Sequence, residues 1–205
     1  MESKEYFSEV AVQWDNMWAN FFSESLREKA LSLTNAVQGN TAADIGAGTG
    51  FITEGLLRQG LQVIAVDQSS EMLNVLKKKF AHYEGLECRV GELENLPIVD
   101  ASVNYVFANM YLHHVESPQT TIMKMVRILK PGEKLVITDL DEHQFMFLRT
   151  EHHDRWMGFK RSNVEAWLTI TGMKNVQVTC ANENCCAQST CSNDQAKSPS
   201  AGKLH

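Results

Sequence analysis

The chain has 205 residues, the size of one domain, and is long enough to bury a core without disulfide or metal staples. Its 43% hydrophobic and 21% charged content is that of an ordinary globular protein. A formal net charge of -6 argues against nucleic acid or an anionic membrane as partner, since both favour a basic face.

No apolar run approaches the ~20 residues that span a bilayer, so no membrane partner is expected. The N-terminal MESKEYFSEV is charged and lacks an apolar core, which speaks against a secretory signal and for a cytoplasmic, reducing setting. Cysteines in that setting are free thiols or metal ligands rather than disulfides.

The first third reads as helical. EVAVQWDNMW and FFSESLREKALSLTNAV carry apolar residues at helical spacing, among them Phe22, Leu26, Ala30 and Leu33. From position 41 short apolar runs alternate with amphipathic helices. TAADI is a strand, GTGFITEGLLRQG a helix closing on Gly60, and LQVIAV a second strand. SSEMLNVLKKKF is a helix with Met72, Val75, Leu76 and Phe80 on one face; its terminal Lys77-Lys78-Lys79 suits the negative end of the helix dipole. LECRV and SVNYVFA are strands three and four. SPQTTIMKMVRILK is a helix capped by Ser117, with Pro118 in its first turn, and Pro131-Gly132 stops it. KLVITDL is strand five. SNVEAWLTITG opens on a capping box from Ser162 to Glu165 and ends on Gly172, and NVQVTC is strand six.

This alternation predicts an α/β, Rossmann-like, doubly wound and mostly parallel sheet with helices on both faces. After Cys180 no apolar run can form a seventh strand, so that strand is expected to be weak or absent. An unfilled edge leaves the sheet open to aggregation or to a homodimer. The organisation read here is one domain over 1–180, with an N-terminal helical cap over about 1–38, and a cysteine-containing polar tail over 181–205.

The strongest chemical signal is DIGAGTG, Asp44 to Gly50, between a strand and a helix. Gly46, Gly48 and Gly50 let the backbone turn sharply and approach a ligand closely. The pattern is neither G-x-G-x-x-G nor a phosphate loop ending in Lys. Asp44 would repel a pyrophosphate but suits an ammonium group. Asp67, ending strand two, is placed to accept bonds from two ribose hydroxyls. A ligand with a ribose, a free amine and no phosphate fits, namely S-adenosylmethionine.

With DIGAGTG, VDQSSEML, GELENLP, ANMYLHHV and RILKPGEKLVITD in order, the sequence resembles the class I S-adenosylmethionine-dependent methyltransferases. It looks closest to their small-molecule branch, which includes ubiquinone and menaquinone C-methyltransferases. The resemblance runs from about Phe7 to Val178. It implies a cofactor, S-adenosylmethionine, that leaves as S-adenosylhomocysteine, and a small-molecule acceptor. It places Gly46, Gly48 and Gly50 under the methionine part, Asp44 facing its amino group, and Asp67 on the ribose. Gln68, Met72, Glu92 and Leu93 are placed around the adenine, and Asn109 toward the methionine moiety. The family more often has Asp where Glu92 stands. Trp14 and Asp15 match an N-terminal helix that closes the site. KPGEKL departs from the usual Pro-Gly-Gly at Glu133. Met72 also fits a core stripe, and Trp14 a packing aromatic.

Methyl transfer asks mainly for alignment, with a general base only where the acceptor must lose a proton. His113 and His114 follow strand four; His113, nearer the strand end, is the candidate base, and His114 a substrate contact. A pair that merely anchors the loop before Ser117 is the alternative. In the polar, aromatic RTEHHDRWMGFKR, the acceptor contacts are His152, His153, Asp154 and Trp156. Asp139, Asp141 and His143 lack a further carboxylate at a helpful spacing, so no metal is expected there.

Cys180, Cys185, Cys186 and Cys191 cluster without the paired C-x2-C of structural zinc sites. They leave two further readings beside a small-molecule methyltransferase. One is an enzyme whose acceptor is a metalloid or thiol held by these cysteines. The other is a non-catalytic protein that binds S-adenosylmethionine or S-adenosylhomocysteine.

Overall fold

A computed structural model describes residues 3–17, 23–92, 95–152, 154–181 and 203–204. Helices α1 (Ser3–Val10) and α2 (Trp14–Met17) precede α3 (Glu24–Ser32), which Ser23 caps by accepting the Leu26 N–H. Leu26 and Ala30 are buried as their spacing predicts. Leu33 is not: it is the C-cap of α3 and stands 43% exposed, while Phe22 lies outside the described residues.

There follow β1 (Thr41–Ile45), α4 (Phe51–Arg58), β2 (Gln62–Asp67), α5 (Ser70–Lys79), β3 (Leu86–Val90) and β4 (Val103–Asn109). A 3-10 turn over Leu112–His114 leads to α6 (Pro118–Ile128), β5 (Leu129–Leu140), α7 (Met146–Glu151) and α8 (Arg161–Ile170). The first five strands are parallel, in the order β3-β2-β1-β4-β5. Chain order reverses between β1 and β4, so a crevice forms beyond their C-terminal ends.

Strand alternation sorts the core into two layers. Ala43, Ile45, Val106 and Ile137 share one with Ile122 and Met125 of α6 and Val164 and Leu168 of α8. Ala42, Val63, Tyr105 and Val136 share the other with Leu31 of α3, Leu56 of α4 and Leu76 of α5. Fully burying one such aliphatic chain contributes roughly 1.5–3 kcal/mol, which is why the helices settle on both faces.

Three elements depart from the sequence reading. NVQVTC joins no strand; Val176 and Val178 pack against the core, but the backbone enters no ladder. Ser162 lies inside α8 rather than at its cap, which is Lys160. A bridge between Asp141 and Phe159 fixes the chain just before it, and the capping box with Glu165 does not form. The antiparallel edge strand comes from the polar tail: β6 (Lys203–Leu204) pairs with Leu140 and Asp139 of β5. At two residues it is as weak as expected. Among the described residues no helix is long and apolar enough to cross a membrane.

Candidate active site

Beyond β1 the chain turns through Gly46, Gly48 and Gly50 with φ of 71°, 53° and 95°, a region that L side chains rarely adopt. A Cβ at Gly46 would run into the Tyr111 ring. A Cβ at Gly48 would stand in open space, its nearest neighbour Trp14 Nε1 at 4.0 Å. The bare backbone at Gly48 is therefore a cradle for whatever fills the crevice. Gly50 instead serves packing, since a Cβ there would lie 2.6 Å from the Phe80 ring of α5.

Asp67 closes β2 and holds this loop. Its Oδ2 accepts the Gly48 N–H at 2.8 Å and its Oδ1 the Ser69 N–H at 2.9 Å. The Gln68 N–H lends a further bond, and since a carboxylate offers about four lone-pair positions, room remains for a ligand. Burial pushes the Asp67 carboxyl above its ordinary pKa, and the Ser69 and Gly48 N–H groups pull it back. Beneath the loop Asp44 is buried and accepts the Thr53 hydroxyl at 2.6 Å. Burial raises its pKa to about 7, against the Thr53 bonds and with a push from Asp67.

The crevice is a cleft of about 270 Å³. Gly46, Gly48, Asp67, Gln68, Met72, Glu92 and Asn109 line one side. Phe7 and Trp14 cover it from the N-terminal helices, the Phe7 ring lying edge-on to Trp14 at 5.4 Å and to His114 at 5.0 Å. Asp15 fastens this cover by accepting the Thr49 hydroxyl at 2.6 Å and the Lys79 ammonium at 2.7 Å. Ser8 adds a bond to Glu71 at 2.9 Å.

The far wall carries Met110, His114, Glu116 and Arg155, while the Tyr111 ring stands against Gly46 on the loop side. Met110 holds φ at 53°, a conformation costly for a side-chain-bearing residue and met here at the end of β4. Asn109 accepts the Thr138 hydroxyl at 2.6 Å. Behind this wall His113 is buried, its Nδ1 2.7 Å from Asp139 Oδ1. Burial pulls the His113 pKa down, but Asp139 and Asp154 outweigh it, and the net direction is up.

Residues 43–137 match the methyltransferase domain family. Over 154 residues the chain is 31% identical to a demethylmenaquinone methyltransferase of Renibacterium salmoninarum, covering 74% of this chain and 64% of that protein. Over 139 residues it is 29% identical to the biotin biosynthesis bifunctional protein BioHC of Cellvibrio japonicus, 64% of this chain and 27% of that one. The family match takes in the glycine loop, Asp67 and the parallel strands as far as Ile137, just under half of the chain.

The chain spans less than two thirds of either curated relative. Its fold matches Haemonchus contortus phosphoethanolamine N-methyltransferase 2, solved with S-adenosyl-L-methionine, at a TM-score of 0.76 and 19% identity, over 89% of this chain and 46% of that one. It also matches an S-adenosylmethionine-dependent methyltransferase from Aquifex aeolicus at 0.68 and 22% identity, over 83% and 90% of the two chains.

The cleft gathers Trp14, Gly46, Gly48, Asp67, Gln68, Met72, Glu92, Asn109 and His114. Met72 is 1% exposed and borders the cleft. Asp44 and Gly50 stand behind the loop, and Leu93 and His153 lie outside the described residues. His113 is turned away from the cleft toward Asp139, and His114 takes the lining position. His152 bonds the Tyr6 hydroxyl at 3.2 Å, off the cleft. Trp156 lies apart too, its Nε1 donating to the Val115 carbonyl at 2.8 Å. Asp139 and Asp141 do not converge, since Asp141 accepts from Arg161 at 2.9 Å. The sequence reading passed over Phe7, Tyr111, Glu116 and Arg155. Tyr111 sits within the quoted ANMYLHHV, and its place two residues past β4 was the available signal.

Proposed function

We propose that the protein transfers a methyl group from S-adenosylmethionine to a small-molecule acceptor. The observation that carries this is the open space over Gly48 beside the Asp67 carboxylate, at the C-terminal ends of β1, β2 and β4. In this reading Gly46 and Gly48 underlie the methionine part, with Asp44 buried beneath, a carboxyl that the ammonium group would draw toward its charged form. Asp67 accepts the ribose hydroxyls, and Gln68, Met72 and Glu92 border the adenine. Asn109, held by Thr138, faces the methionine end.

When bound, the cofactor supplies a methyl group already activated on a sulfonium. The acceptor's lone pair forms the new bond as the methyl–sulfur bond breaks in line, S-adenosylhomocysteine leaves, and an acceptor proton, where there is one, must go to a base. His114, on the wall facing Phe7, is the histidine positioned to take it. The N-terminal helices and the Arg155 wall exclude water and align the two reactants.

The acceptor is read as a small molecule because the cleft is enclosed by the chain's own helices and the net charge is acidic. Cys88, a free thiol, is in keeping with a cytoplasmic setting. No observation favours the metalloid or non-catalytic readings; Cys185, Cys186 and Cys191 lie outside the described residues. Incubation with methyl-labelled cofactor and a metabolite extract is the test. Labelled small-molecule product is expected, and a protein that binds the cofactor yet labels nothing would be a binding protein instead.

A further inference from the structure

The far wall holds a cluster of which methyl transfer alone uses only His114, and an ion bound there would replace that imidazole's action as a base by lowering the acceptor's pKa. Asp154 Oδ1 lies 3.7 Å from His113 Nε2 and 3.7 Å from His114 Nδ1, and all three atoms fall within 4.8 Å of one another. His113 and Asp154 are buried, and His114 opens onto the cleft. Among the described residues this is the one such group of His, Cys, Asp or Glu.

We propose that His113, His114 and Asp154 form a divalent transition-metal site in the wall of the cleft. Two imidazoles and one carboxylate are a donor set for zinc, iron, manganese or cobalt. Around a tetrahedral ion, ligand atoms at ~2.0–2.1 Å stand about 3.4 Å apart, so each Asp154 contact needs to close by only a few tenths of an ångström.

The decisive feature lies one layer out. Asp139 takes the Nδ1 side of His113 at 2.7 Å, which fixes the ring and leaves Nε2 toward Asp154. A carboxylate behind a histidine in this manner is the usual support of a metal ligand. Asp139 is itself held by the N–H groups of Tyr111, Leu112 and Leu140. The main chain adds to this, since Arg155 and Trp156 both donate their N–H to the His113 carbonyl, at 2.9 and 3.1 Å. The loop bearing Asp154 is thereby bound to the residue that Asp154 faces.

Because His114 borders the cleft, an ion held here keeps an open position toward it. That position suits an acceptor oxygen or nitrogen, lowering its pKa before methylation. This use rests on the methyl-transfer reading; metal binding itself does not.

The test titrates Mn2+ into the whole chain and follows the free aqua ion by electron paramagnetic resonance. Thiolates are poor ligands for Mn2+, which keeps the cysteines silent. Co2+ is added in parallel, and its visible d–d bands are read without a sulfur charge-transfer band. One ion per chain is expected. Affinity falls at least about tenfold in His114→Gln and Asp154→Asn, and about 10–100-fold in Asp139→Asn. Asp141→Asn, whose carboxylate serves Arg161, leaves it unchanged. S-adenosylhomocysteine binding by calorimetry on the same samples reports folding and the cofactor cleft. A wild type that binds S-adenosylhomocysteine but neither ion overturns the metal site and spares the methyltransferase reading. So does equal ion affinity in a His114→Gln protein that still binds S-adenosylhomocysteine.

Discussion

Asp67 does two things at once, fastening the glycine loop through Gly48 and leaving lone pairs for a ribose. A hydrogen bond to a charged group contributes roughly 1.5–3 kcal/mol. Asp67→Ala therefore raises the Kd for S-adenosylhomocysteine by about tenfold or more, as calorimetry would read; an unchanged Kd would remove Asp67 from the site. Asp44 carries a pH signature. Its folded pKa of about 7 lies above the unfolded 3.8, so the native state holds the extra proton between those values. Stability from this group is complete below about pH 4 and is lost as pH rises through 7, a change on the order of a few kcal/mol. Asp44→Asn, which keeps an acceptor for Thr53, flattens that slope. Melting curves from pH 5 to 8 check it, and parallel curves for the two proteins would contradict the assignment. These two aspartates and the glycines were legible in the sequence because each position demands one chemistry. The His113-His114 pair was not, because adjacent histidines look alike until the 3-10 turn sends one to Asp139 and the other to the cleft. Asp154, expected as an acceptor contact, is off the cleft lining and beside histidines forty residues earlier, a placement that only the folded α7–α8 connection creates.

At the scale of elements, α3 and α4 meet at Gly55, where a Cβ would collide with Leu31 and lie 3.0 Å from Arg27 Cδ. Gly55→Ala is expected to destabilise the fold by about 1–3 kcal/mol through overpacking, despite alanine's better helix propensity. Denaturant unfolding decides it, and a gain in stability would mean the helices can part at no cost. Asp15 tests the cover instead. Its bonds to Thr49 and Lys79 are partly exposed, so Asp15→Ala should change the melting point little. Its expected effect is a faster release of S-adenosylhomocysteine in stopped-flow displacement, several-fold, and an unaltered release rate would show that α1 and α2 do not gate the cleft. β1, β2 and β4 were readable as short apolar runs flanked by turn residues, and β3 by its alternation of apolar and charged residues. β5, by contrast, begins at Leu129 and runs through the Pro131-Gly132 expected to stop α6, which ends already at Ile128. NVQVTC shows the limit of that signal: Val176 and Val178 alternate as a strand's would and are packed on the core, yet no neighbouring strand offers them a ladder. Alternation reports which side chains are buried, and pairing depends on what stands alongside.

For the whole molecule, the reversal of strand order between β1 and β4 creates the crevice, and everything proposed for function is arranged around its two walls. The wall proposed for the cofactor comes from β1, β2 and the loops after them, contiguous in sequence and legible there. The wall proposed for the acceptor is assembled from α1, the end of β4 and the segment before α8, too far apart along the chain for spacing to reveal. The account rests above all on the cofactor wall. Calorimetric titration of S-adenosylhomocysteine into the wild-type protein and Asp67→Ala measures it most directly. Saturable binding at one site per chain, weakened about tenfold or more by the substitution, is the predicted result; no heat of binding to folded wild type at millimolar ligand would contradict it.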